Sequence, residues 1–87
     1  MKVIKRNGSE VSFDIAKIIA AITKANESVD EAIRMTPMQI QRIAESVEFS
    51  CLKMNRSPSV EEIQDLVEYQ IMAHGAFELA KNYACWL

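Results

Sequence analysis

Three stretches of this chain carry apolar residues on a helical period, and each is apolar on one side only. Ile15, Ile18, Ile19 and Ile22 recur at i, i+3, i+4, i+7. Ile40, Ile43, Ala44 and Val47 repeat the pattern and extend it to Leu52. Ile63, Leu66, Val67 and Ile71 give it a third time. A stripe of that kind is stable only against another apolar surface, so these helices need one another. A fourth helical pattern restarts at Ala76 with Phe77, Ala80, Tyr83, Ala84 and Leu87. The 87 residues leave room for a single small domain, and an apolar fraction of 49% supports a packed core rather than disorder.

The punctuation between the stripes sets the helix limits. Asp14 is a suitable N-cap for the first helix, and Asn26 suits its end. Residues 27–35 form a polar connection with room for a short helical turn. Thr36-Pro37 opens the second helix, with threonine as cap and proline at the first helical position; its apolar face runs to about Met54. Asn55-Arg56-Ser57-Pro58 breaks the pattern. Ser59 and Glu62 then match a capping box, in which the serine reaches forward and the glutamate reaches back. His74-Gly75 ends the third helix.

Before the helices, residues 2–6 and 9–13 are strand-like arms around Asn7-Gly8. That dipeptide predicts a two-residue type I′ turn. In that register Arg6 opposes Ser9, Lys5 opposes Glu10 and Ile4 opposes Val11. Ile4, Val11 and Phe13 then share one face, and Val3, Lys5, Glu10 and Ser12 the other. A lone hairpin is marginal in water, so it must pack on the helices. The expected class is α+β: a small N-terminal hairpin on a bundle of about four helices, forming one domain over residues 1–87. The apolar ending Ala84-Cys85-Trp86-Leu87 is expected of a piece cut from a longer chain.

Several functions are disfavoured. No Walker loop, GxGxxG, nucleophile elbow or HExxH occurs, and with only Gly8 and Gly75 no glycine-rich phosphate cradle can be built. No catalytic spacing is recognisable, so this chain by itself is not expected to be an enzyme. Cys51, Cys85 and the single His74 do not form a zinc pattern; two buried thiols in a reducing cytoplasm are expected, and no metal ligands. No uncharged apolar run approaches the roughly 20 residues of a membrane span. Met35, Met38, Met54, Met72, Tyr69, Tyr83 and Trp86 are expected in the core, His74 at a helix C-terminus, and Glu61-Glu62 as a match to a helix dipole.

The net charge of −2 hides an asymmetry. Residues 1–26 carry five Lys or Arg against two acids, and residues 27–87 carry five against ten. A nucleic-acid footprint over the whole surface is therefore not expected, whereas a local anion site near the N-terminus is. Lys5 and Arg6 have a plain explanation as charges that blunt an exposed strand edge. Lys17, however, lies one turn inside the helix that follows, beside unpaired N–H groups and a positive dipole end. Three cations there suit a polyphosphate. Asp14 competes for the same N–H groups, which points to a nucleotide with a sugar hydroxyl or amino group rather than bare phosphate.

These residues carry a resemblance. "VIKRNGSEVSFDIAKIIAAITKA" resembles the opening of the ATP-cone domain, and "SVEEIQDLVEYQIM" followed by "ELAKNYACWL" resembles its later part. The resemblance implies an allosteric ATP/dATP-binding module of a ribonucleotide reductase, acting in deoxyribonucleotide synthesis. Met1 directly before the motif resembles the start of an anaerobic ribonucleoside-triphosphate reductase. The cone of the reductase-gene repressor, or a helical interaction module without nucleotide binding, is the alternative. By position the family's nucleotide contacts fall on Val3, Lys5, Arg6, Val11, Asp14, Lys17, Ile18 and, in the region 60–64, Gln64. Lys5, Arg6 and Lys17 would hold the triphosphate, with Mg²⁺ shielding it, and the hairpin would act as a lid. The implied partners are ATP, dATP, the catalytic domain of the parent chain and other cones; no membrane and no direct nucleic acid contact is implied.

Overall fold

The computed structural model describes residues 1–85. Strands β1 (Lys2–Ile4) and β2 (Glu10–Ser12) form an antiparallel hairpin, followed by helices α1 (Ile15–Asn26), α2 (Pro37–Leu52), α3 (Val60–Ala73) and α4 (Phe77–Cys85). The expected α+β class and the four helices are present. A 3-10 turn at Glu31–Ile33 occupies the polar connection. α1 packs on α2 and α4, and α3 packs on the same two helices. The bundle therefore closes on itself, with α1 and α3 diagonally opposite. Ile22, Ile43, Val47, Val67, Ile71 and Leu79 are buried at its centre.

The caps act as the local sequence demands. Asp14 Oδ1 accepts from the Ala16 N–H at 3.0 Å. Ser59 and Glu62 form the expected reciprocal box, and Thr36 forms another with Gln39 that the threonine-proline signal alone did not disclose. α3 ends with Gly75 at φ +79°, where the Ala76 N–H reaches back to the Ile71 carbonyl. That left-handed position is what makes glycine the suitable residue there.

The hairpin departs from the predicted register. The pairs are Lys2 with Ser12, Val3 with Val11 and Ile4 with Glu10. Lys5 and Ser9 close the ladder through Lys5 N–H to Ser9 O at 2.8 Å. The loop therefore has three residues, Arg6-Asn7-Gly8. Only Gly8 has positive φ, at +87°, whereas a type I′ turn would require it at Asn7 as well. The Gly8 N–H bonds to Lys5 O, as in a type I turn followed by a left-handed glycine. Asn7 instead uses its side chain, which accepts from the Ser9 backbone and hydroxyl. This asparagine turn competes with the I′ geometry. The one-residue slip changes which side chains sit together: Val3, Lys5, Val11 and Phe13 share a face, and Ile4 and Glu10 the other.

Beyond the hairpin, the connection 27–36 is tied down by two side chains. Asn26 is buried; its amide donates to Met35 O and accepts from the Met35 N–H, both at 2.9 Å. Arg34 donates to the carbonyls of Val29 and Glu27. Cys51 is buried, and burial pushes its thiol pKa up. Several residues expected in the core lie outside it. Met38, Tyr69 and Met72 are exposed, as are Leu52 and Phe77. Met38, Tyr69 and Met72 stand beside the stripes, and Leu52 and Phe77 lie at helix ends, where helices this short leave side chains in water. Trp86 and Leu87 lie outside the described residues. No helix among the described residues is long and apolar enough to cross a membrane.

Two predictions concern these ties. Asn26→Ala leaves both Met35 backbone groups without their partner and is expected to cost about 1–3 kcal/mol in urea unfolding. Glu62 is held at a pKa of about 2, first by hydrogen bonding to Arg56 and then by the Ser59 N–H. A depressed carboxylate stabilises the fold fully above its ordinary pKa of 4.5, and that contribution drains as pH falls toward 2. Arg56→Ala should therefore lower the thermal midpoint at pH 7, with the gap to the unsubstituted chain closing between pH 4.5 and 2.

Candidate functional site

The hairpin is held to the bundle at the start of α3. Ile4 N–H donates to Pro58 O at 2.9 Å, and Ile4 and Ser59 form an isolated parallel bridge. β2 leads directly through Asp14 into α1. The N-termini of α1 and α3 thus lie at the same end of the bundle, both beside the hairpin. Asp14 and Ser59 each satisfy one N–H there, and the positive dipole ends of both helices lie at that end.

A cavity of about 330 Å³ opens there between the hairpin and the diagonal helices. The hairpin contributes Val3, Lys5, Val11, Ser12 and Phe13. From α1 and its cap come Asp14, Lys17, Ile18 and Ala21, which lie at i, i+3, i+4 and i+7. α3 contributes Val60, Ile63 and Gln64, and α4 contributes Tyr83. Lys5, Asp14 and Lys17 are exposed at its mouth, whereas Ile18, Ile63 and Tyr83 are buried. The result is a polar, cationic rim over an apolar interior. Val11 is 40% exposed although it lines the cavity, as suits a side chain over an open mouth.

Seven of the eight residues expected in the site line this cavity: Val3, Lys5, Val11, Asp14, Lys17, Ile18 and Gln64. The register explains Lys5. In the predicted two-residue turn it faced away from Val11; the three-residue turn puts both on the cavity side. Arg6 differs. It occupies the turn, outside the lining, and its Nε donates to Glu61 Oε1 at 2.9 Å, with both side chains largely exposed. This pairing joins residues 55 positions apart and has no local signal. Glu61 was expected only to match the α3 dipole; it also holds the hairpin tip.

Sequence reasoning missed Ser12, Phe13, Ala21 and Tyr83, whereas Val60 and Ile63 fall within the expected region 60–64. Ala21 was legible, because it continues the α1 face that bears Asp14, Lys17 and Ile18. Tyr83 was not: it reaches the cavity only because α4 packs against both α1 and α3. Its pKa is pushed up to about 12, mainly by burial and then by the charge of Glu68. Among the described residues no group of three or more His, Cys, Asp or Glu converges as a metal site.

Comparison with known proteins bears on this geometry. The chain is 36% identical over 91 aligned residues to the ribonucleoside-diphosphate reductase subunit alpha of Chlamydia trachomatis, covering 95% of this chain and 9% of that protein. The corresponding subunit of Chlamydia pneumoniae is 33% identical over 87 residues, covering 93% of this chain and 8% of that protein. A vitamin B12-dependent ribonucleoside-diphosphate reductase of Thermoplasma acidophilum is 42% identical over 71 residues, covering 82% of this chain and 9% of that protein. The chain therefore spans about a tenth of the length of these relatives. They are diphosphate reductases and do not support the expected kinship with an anaerobic triphosphate reductase. The motif residues line a cavity, and they do not bear on the radical chemistry that separates such enzymes. The family model for the ATP cone domain matches residues 1–87. Cavity, cations and match agree, and the chain belongs to the ATP-cone family.

Proposed function

We propose that this chain is the ATP/dATP-sensing regulatory domain of a ribonucleoside-diphosphate reductase alpha subunit, and that it sets overall activity through nucleotide-dependent assembly. One observation carries the reading: Lys5, Lys17 and two helix N-termini converge on the mouth of a cavity with an apolar interior. Its volume lies at the low end for ligand sites, which suits a nucleoside inside with the triphosphate on the open rim. Kinship with reductase subunits favours this over the repressor. In this reading the chain binds and does not catalyse; the chemistry belongs to the rest of the parent protein.

The roles follow from position. Lys5 and Lys17 hold the phosphates as mobile point charges, and Mg²⁺ arrives on the triphosphate rather than in a protein cage. Asp14 uses one carboxylate oxygen as the α1 cap, and its second meets a ribose hydroxyl or an amino group. Gln64 offers both a donor and an acceptor. Val3, Val11 and Ile18 flank the base. Arg6 joins the phosphates only by leaving Glu61, so the hairpin tip exchanges an internal ion pair for a ligand. ATP and dATP differ by one hydroxyl, and that difference must bias two arrangements of the parent protein. The catalytic domain and neighbouring cones are the surfaces through which it would act.

At a concentration 100 times its Kd, ATP or dATP would stabilise the chain by about 2.7 kcal/mol. In a domain of this size that raises the melting temperature by on the order of 10 °C. Lys5→Ala is expected to abolish most of the rise, and calorimetry showing no nucleotide binding would sink the proposal. Glu61→Gln weakens the hold on Arg6 and is expected to tighten ATP binding several-fold. Unchanged affinity in that variant, measured by titration calorimetry, would mean that Arg6 stays outside the site.

A further inference from the structure

Among the described residues, Tyr83 is what α4 contributes to the cavity lining. Tyr83 is 4% exposed, in line with Leu79 and Ala80 on the buried face of α4. Ring burial alone would be ordinary core packing. The hydroxyl is the unusual part. Among the described residues it has no hydrogen-bond partner, yet no side-chain oxygen or nitrogen is sealed from solvent without one. The hydroxyl of this buried residue is therefore not sealed from solvent, and Tyr83 lines the cavity. A buried phenol normally finds a partner, and leaving it unpaired is costly.

Its depth follows from the elements around it. The cations stand where the hairpin meets the starts of α1 and α3. Glu68, whose charge acts on Tyr83, lies one turn beyond Gln64 on α3, away from that junction. On α1, the rise from Asp14 to Ala21 is about 10 Å. Tyr83 is thus on the inner side of the cavity, toward Ala21 rather than the exposed lysines at the mouth.

The geometry points to Tyr83 as a base-reading residue, whose hydroxyl bonds a ring nitrogen of a bound purine while Ile18 and Ile63 cover its faces. This rests on the nucleotide reading above and adds the group that recognises the end opposite the phosphates. The phenol is a donor there, as a tyrosine hydroxyl is protonated throughout the neutral range. A ring nitrogen, which only accepts, is its complement. The contact also brings α4 into a site otherwise built from the hairpin, α1 and α3.

The test compares the chain with Tyr83→Phe, which keeps the ring and removes the hydroxyl. Titration calorimetry uses ATP and inorganic tripolyphosphate, and circular dichroism melts without ligand check that both proteins fold alike. The expected result is ATP binding about tenfold weaker in Tyr83→Phe, with tripolyphosphate affinity unchanged. Equal ATP affinity in the two proteins overturns the assignment and leaves the nucleotide reading intact. Parallel loss for ATP and tripolyphosphate also overturns it, because the hydroxyl would then act through the fold. Should Tyr83→Phe fail to fold, Tyr83→Trp or ¹³C-tyrosine NMR of the unsubstituted chain replaces it; a Tyr83 resonance unmoved by saturating ATP overturns the assignment. No ATP binding by the unsubstituted chain overturns both readings.

Discussion

The hydrogen bond from Ile4 N–H to Pro58 O joins the two ends of the domain's logic. A two-stranded hairpin does not stand alone in water, and this one has strands of three residues each. It is kept in place by buried Val3, by Phe13 against the core, and by this backbone bond to the residue before the α3 cap. Because β2 runs straight into α1, fastening β1 to the start of α3 sets the spacing of the two helix N-termini. The cavity is the gap that remains between them. Pro58, fully buried, supplies the carbonyl without competing as a donor.

The turn then decides what faces that gap. With a two-residue turn Lys5 would have pointed away from Val11, and the cation would have stood on the outer face. Gly8 takes the left-handed conformation alone, Asn7 is held by its own side chain, and the register moves by one. Lys5 consequently joins Lys17 at the rim. The Arg6–Glu61 pair holds the tip from outside, so two adjacent cations in the sequence have different tasks in the fold.

Most of what is local was legible. Helix limits followed from Asp14, Thr36-Pro37, Ser59 with Glu62, and Gly75, because each cap acts within a few residues of itself. The four helical stripes were legible for the same reason. The turn type was misjudged because Asn-Gly suits two geometries, and the Asn7–Ser9 side-chain bonds favour the one the dipeptide does not advertise. What depends on packing was hidden. Tyr69 and Met38 look like core residues by type, but both are exposed. Tyr83 looks like one too, and its hydroxyl becomes meaningful only when α1 and α3 are placed beside it. Of the candidate site, the residues on the hairpin and α1 could be found from the motif and helical spacing; Glu61 and Tyr83 required the fold.

The distribution of polarity across the cavity bears on how so small a ligand difference could be felt. At the exposed rim, lysine–phosphate attraction is screened by salt and treats ATP and dATP alike. Discrimination must come from deeper groups, where an unmade hydrogen bond leaves a desolvated partner and costs more than it would at the surface. Asp14 stands exposed at the mouth with the lysines, whereas half-buried Gln64 lies closer to the apolar interior formed by Ile18 and Ile63. Asp14 is also the α1 cap, so any pull on its carboxylate acts on the start of that helix. A sugar hydroxyl meeting Asp14 would thus be read by a residue that already sets the geometry between hairpin and α1. In the proposed reading, affinity and discrimination are separated along the cavity, the first resting on charge at the mouth and the second on hydrogen bonds within.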